Sequence, residues 1–186
     1  MYALQLVHTD LMGPFDVEGI GGFKYAQVFV DDFTKRKYDY FLNKKSEAPI
    51  VLQQFVRDVG LPVTVRHDGG GEFEGAWGDG WLDVCVEYGI QVQKTDPDSP
   101  ESNGVAERAN RSLLTIVRCI LLASRLPKEL WPFALQHAAF LDSLLVPKGR
   151  ATSPYYAWFL HKPDLSRLRV FGSRVTYVHT KYTHKV

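Results

Sequence analysis

Two short apolar runs, ALQLVHTD (3–10) and VTVRHD (63–68), each end on an aspartate, and the residues between them constrain the fold. FKYAQVFVDDF (23–33) and RKYDYFL (36–42) are rich in aromatic and β-branched residues and stand a few polar residues apart, which predicts a hairpin. Residues 46–59 then place Ile50, Val51, Leu52, Phe55, Val56 and Val59 at helical spacing, with Ser46 as the expected N-cap and Gly60 as the stop. A helix feeding back into 63–68 makes that strand parallel to 3–10 if the two are neighbours. Parallel neighbours bring their carboxyl ends to one edge of the sheet, where open α/β sheets bind ligands. Asp10 and Asp68 would therefore meet.

Further along, a weaker helix is expected over 76–88 and a fifth strand over 90–95. DPDSPESNG (96–104) contains no apolar residue, as polar functional loops do. Long helices are expected over 105–126 and, after Pro127, over 128–146. Pro147–Arg150 reads as a linker, followed by a short aromatic helix (155–160) and a strand (169–179). The expected fold is α/β, a five-stranded mixed sheet flanked by helices. Residues 1–146 would form the core and 147–186 a linker and further segment.

Two carboxylates held close repel unless a cation lies between them. Mg²⁺ takes oxygen ligands, usually a few carboxylates plus substrate phosphates. A third acid should come from the polar loop or the helix after it. Glu107 sits one turn into that helix, with Asn103 as a plausible N-cap. For each acid alone, a turn, cap or solvated-surface role is the ordinary one; the three together are more specific. Asp31 and Asp32 fall at the hairpin and read as structural. Glu72 reads as a loop residue, His8 and His67 as packed rather than ligating. Gly19, Gly21 and Gly22 form a loose turn, since no strand leads into them and no helix follows.

Charge is divided unevenly. Residues 1–100 carry 9 Lys+Arg against 16 Asp+Glu, a net −7; residues 101–186 carry 13 against 5, a net +8. A basic half points to an anionic partner. On the helix from 105, at about 100° per residue, Glu107, Arg111, Arg118 and Arg125 share one stripe. Arginine's paired donors suit phosphate oxygens. Arg111, Arg108, Arg118 and Asn103 are the candidate contacts to a phosphate-bearing partner. No apolar run is long enough to span a membrane, and no leader is visible after Met1. Cys85 and Cys119 both fall in apolar helical patterns, so two buried thiols in a reducing compartment are expected.

HTDLMGP (8–14), DGGGEF (68–73) and SPESNGVAER (99–108) resemble the three signature blocks of retrotransposon integrase cores, most closely those of copia-type elements. VDDFTKRKYDYFL (30–42) and KPDLSRLRVFG (162–172) resemble further blocks of that family, so the likeness runs the length of the chain. The resemblance implies a ribonuclease H-like fold and a D,D-E triad of Asp10, Asp68 and Glu107 holding two Mg²⁺ or Mn²⁺ ions. The 38 residues between Asp68 and Glu107 suit that pattern. It further implies an integrase that trims the element's 3′ ends with water and then joins the 3′-hydroxyl to target DNA, acting as a homo-multimer in the nucleus. Two departures stand out: Gly69 where the family carries Asn, and Glu101-Ser102 where it carries Gln. They keep open an inactive DNA-binding or assembly module from a mobile element. A ribonuclease H-like nuclease acting on RNA–DNA hybrids is the third possibility.

Overall fold

The computed structural model of the chain describes residues 1–68, 73, 80–94, 104–166 and 168–176. Its centre is a five-stranded mixed sheet of β1 (Leu6–Met12), β2 (Tyr25–Asp31), β3 (Lys37–Leu42), β4 (Thr64–His67) and β5 (Gln91–Lys94). The spatial order is β3-β2-β1-β4-β5. β2 and β3 pair antiparallel as the predicted hairpin, β1 also pairs antiparallel with β2, and β4 joins β1, and β5 joins β4, in parallel. The crossover from β3 to β4 is α1 (Ala48–Asp58), and α2 (Trp81–Tyr88) connects β4 to β5. α3 (Gly104–Ser124) and α4 (Trp131–Leu144) follow, α4 preceded by one 3-10 turn at Lys128–Leu130.

Strand alternation divides the core into two layers. Val7 of β1, with Phe29, Leu42 and Val65, packs against Leu52 and Phe55 of α1 and Trp81 of α2. Phe29 stacks on Phe55 with ring centroids 4.4 Å apart. Met12 of β1, with Ala26, Val28 and Val30, packs against Leu113 and Val117 of α3 and Trp131, Ala134 and Leu135 of α4. A sheet buried on both faces needs apolar residues at alternating positions in both phases, which is why AQVFV reads as a nearly continuous apolar run.

Several expectations need correcting. Ser46 is not the N-cap of α1: it lies within a 3-10 turn at Lys45–Glu47, Glu47 takes the cap position without a side-chain bond, and Pro49 sits in the first helical turn. β1 runs two residues past Asp10, held by its antiparallel pairing with β2 as far as Met12–Ala26. The described part of 169–179 contains no strand. α3 ends at Ser124, and Arg125 follows with φ of 55°, so it leaves the predicted arginine stripe. Cys85 is buried in α2, which pushes its thiol up to about 12, but Cys119 is exposed on α3. Among the described residues no helix is long and apolar enough to cross a membrane.

The segment after α4 contacts the sheet edge. α5 (Pro154–Phe159) is capped by the Ser153 hydroxyl, which accepts a bond from Tyr156 N at 3.3 Å. The Arg36 guanidinium at the start of β3 lies 4.4 Å from the Phe159 ring centroid and 5.2 Å from that of Tyr38, with Tyr155 and Trp158 also within 6 Å. Trp158 meets Tyr38 edge-on at 5.5 Å, and Arg150 donates to the Phe33 carbonyl at 2.6 Å.

Candidate active site

β1 and β4 run parallel with His8 opposite Arg66. Two residues further along the chain from this pair stand Asp10 and Asp68, both toward the same end of the parallel strands. Asp68 is the first residue beyond β4, where the sheet ladder has ended. The expected parallel pairing of the two strands is present, and it puts both residues toward one end of the sheet. The glycines that follow Asp68, and Glu72, lie outside the described residues.

Asp10 sits in a built environment. Its Oδ1 accepts from the Leu11 amide at 2.9 Å. Its Oδ2 accepts from Asn110 Nδ2 at 2.8 Å across the gap to α3. Asn110 is buried with Ala106, Leu113 and Val117, in the stripe of α3 that faces the sheet. The polar side chain in an otherwise apolar stripe is there to reach Asp10. Its Oδ1 is buried without a partner, an acceptor left beside the carboxylate. Sequence analysis missed Asn110. The available signal was a polar residue at apolar spacing, in helical register with Ala106, Leu113 and Val117.

Glu107 lies three residues before Asn110, about 4.5 Å along the axis, in the first turn of α3. The Asn110–Asp10 bond thus brings the helix turn that carries Glu107 to the carboxylate edge. Glu107 itself is exposed. Among the described residues no three His, Cys, Asp or Glu side chains stand close enough together to hold a metal ion. Asp10 and Asp68 are therefore neighbours by strand register, and Glu107 is placed on the same side through its helix without closing a three-acid cluster. The donor set is entirely carboxylate and amide oxygen, the type that Mg²⁺ and Mn²⁺ take.

The basic candidates spread along α3. Arg108 is exposed and folds back over the helix start, where a methyl group on Gly104 would come within 2.7 Å of its Nη1. Arg111 is exposed one turn after Glu107, and Arg118 two turns further on. Asn103 lies outside the described residues, as does Glu101.

The rival acids are structural. Asp31 Oδ1 accepts from Leu4 N at 2.7 Å, and its Oδ2 accepts from the Thr34 amide and hydroxyl at 2.7 and 2.6 Å. Asp32 Oδ1 meets His8 Nε2 at 3.0 Å and Lys35 Nζ at 2.7 Å. Burial pulls His8 below the usual imidazole range although Asp32 favours its charge. Burial raises the Asp32 carboxyl, but Lys35 and His8 together bring it below the ordinary carboxylate value. His67 packs on Phe73 with centroids 4.6 Å apart and edge-on to Trp81 at 6.0 Å. Both histidines are packed residues, as expected.

No protein-family model matches the chain. The Pol polyprotein of the tobacco (Nicotiana tabacum) transposon TNT 1-94 is 36% identical over 178 residues, which are 92% of this chain and 13% of the polyprotein. The truncated Ty1-A Gag-Pol polyprotein of Saccharomyces cerevisiae is 30% identical over 182 residues, 92% of this chain and 15% of that one. The chain thus spans well under a fifth of the relatives it matches. Among solved structures, a simian T-cell lymphotropic virus intasome chain superposes with a TM-score of 0.71 at 20% identity, covering 97% of this chain and 61% of that one. The HTLV-2 integrase catalytic core in complex with magnesium superposes with a TM-score of 0.64 at 18% identity, over 85% of this chain and 98% of that one. By sequence the chain is a homologue of one segment of retrotransposon Pol polyproteins, and its fold is the ribonuclease H-like fold of retroviral integrase catalytic cores.

Proposed function

We propose that the chain is an integrase-type polynucleotidyl transferase, which processes the 3′ ends of element DNA and joins them to target DNA. The observation that carries this reading is the adjacency of Asp10 and Asp68 at one sheet edge, with Asn110 tying the Glu107 turn of α3 to Asp10. The HTLV-2 core solved with magnesium supports a divalent ion for the same fold. Asp10, Asp68 and Glu107 would hold two Mg²⁺ or Mn²⁺ ions. When bound, such ions activate the attacking oxygen and stabilise the leaving oxygen in an in-line displacement.

The chain's own residues supply position and charge. Asn110 fixes the Asp10 carboxylate through its bond to Oδ2. Arg108 and Arg111, exposed beside Glu107, would take the DNA backbone through paired donors, with Arg118 and Asn103 extending the path. In end processing the nucleophile is water and the bond broken is a phosphodiester. In joining, the freed 3′-hydroxyl attacks a target phosphorus and displaces the target's own 3′ oxygen. Neither step needs a covalent enzyme intermediate, so no nucleophilic serine or cysteine is required. The working unit would be a multimer acting in the nucleus, in keeping with the intasome and the dimeric and trimeric cores of the neighbours.

The experiment is strand transfer on short element-end duplexes with Mg²⁺ or Mn²⁺. Asp68→Asn and Glu107→Gln should each remove it while leaving DNA binding intact; full activity in either variant would refute the triad. A second reading, an inactive DNA-binding module, is favoured by the exposed Glu107 and by Gly69. It predicts DNA binding with no strand transfer by the unmutated chain in either metal.

A further inference from the structure

The carboxyl-terminal half of α3 borders a groove with a character unlike the acidic edge. Its volume is about 670 Å³, and it runs between α3, the start of α4 and the loop after β1. That size suits the side chains of a bound segment rather than a single ion. The floor is apolar, built from Phe15, Val117, Leu121, Trp131 and Leu135. It is well supported: Phe15 packs on Trp131 with centroids 4.3 Å apart, and Trp131 Nε1 donates to the Val17 carbonyl at 3.0 Å. On the rim, Leu122 is 79% exposed. The charges there are unequal. Arg118, Arg125 and Lys128 face the groove against one acid, Asp16.

We propose that this groove receives an amphipathic helix of another protein, with apolar residues at i, i+4 and i+7 set into the floor and Asp or Glu on its flanks. Helix-in-groove recognition has this pattern of anchors. The acidic flanks follow from the rim, where Arg125 and Lys128, which lie off the proposed DNA path, await opposite charge and would suppress a basic partner. DNA is a poorer occupant, because phosphates would satisfy the rim but leave the apolar floor uncovered. A second copy is poorer too. A two-fold interface sets the same patch against itself, so cations would face cations.

The test uses fluorescence anisotropy on the full chain with two labelled peptides of about 18 residues, long enough to be helical. Both carry leucines at i, i+4 and i+7; one has glutamates on its flanks and its twin has lysines. The glutamate peptide should bind saturably, and the lysine twin at least about tenfold more weakly. Leu122→Glu should weaken the glutamate peptide by about tenfold or more, with an unchanged melting temperature because the residue is exposed. Lys128→Glu should weaken the glutamate peptide and strengthen its twin. Equal binding of both peptides, binding of neither, or indifference to Leu122→Glu would overturn the proposal. So would sedimentation showing a dimer that Leu122→Glu dissolves, which would assign the groove to a second copy.

Discussion

Asp39 lies in the middle of the edge strand β3, on the side that faces α4, between Lys37 and Phe41. Lys37 is not available to it, being paired with Asp142. The cleft around Asp39 also holds Arg36 and Asp58, and Asp58 is engaged by the Tyr40 hydroxyl at 3.4 Å. Asp39 Oδ2 is sealed from solvent without a hydrogen-bond partner. Burial pushes this carboxyl up from 3.8 to about 7, with only a bond to its own backbone acting the other way. The unfolded chain therefore releases this proton near pH 4, while the folded chain keeps it to about pH 7. Stability contributed by the protonated form is present below pH 4 and is lost as pH rises to 7. Three pKa units at ~1.4 kcal/mol each give a loss of about 4 kcal/mol. That is an upper bound, since the edge of Asp39 keeps some solvent contact. Asp39→Asn removes the titration and leaves the shape. Urea unfolding of both proteins at half-unit steps from pH 4 to pH 8 isolates the effect, because every other titrating group cancels in the difference. The stability of Asp39→Asn minus that of the parent should climb steadily between pH 4 and pH 7 and then level off. A flat difference would refute the reasoning.

Other consequences follow from single contacts. Asn110→Ala removes a hydrogen bond to a carboxylate, a loss of about 2 kcal/mol or roughly 4–8 °C in melting temperature for a chain of this size. It should also cut strand transfer, and a double-mutant cycle with Asp10→Asn should be strongly non-additive. Arg111→Ala should weaken DNA binding alike for all sequences and lower the log–log salt slope by about 1, as read by anisotropy from low to moderate salt. Arg36→Ala empties the ring cage under α5. A loss of about 1–2 kcal/mol there should speed amide exchange across Pro154–Phe159 by about tenfold without changing exchange in β1.

Much of this was legible in the sequence because the governing constraints are local. The five strands and α1, α3 and α4 declare themselves by apolar period, and one helical crossover suffices to make β1 and β4 parallel. Asp10 and Asp68 become neighbours from that alone. What stayed hidden depends on tertiary contact. Asn110 reads as one more polar helix residue until its stripe is known to face β1. Ser46 has N-cap chemistry, but the 3-10 turn ahead of Pro49 moves the cap to Glu47. Cys119 has Ile116, Val117 and Ile120 close by in sequence, yet with Arg118 it falls on the exposed side of α3. Residues 169–176 are strand-like in composition, but among the described residues none of them pairs with a strand, so propensity alone does not form one.

The central claim is that three carboxylates from β1, the end of β4 and α3 serve one catalytic centre. The most direct measurement is a crystal structure of the chain soaked in Mn²⁺, with the ions located by their anomalous scattering. Manganese should be held by Asp10 and Asp68 with Glu107 drawn into contact, and Asp10→Asn should lose that signal. A structure in which Glu107 stays in solvent and no manganese appears between Asp10 and Asp68 would contradict it.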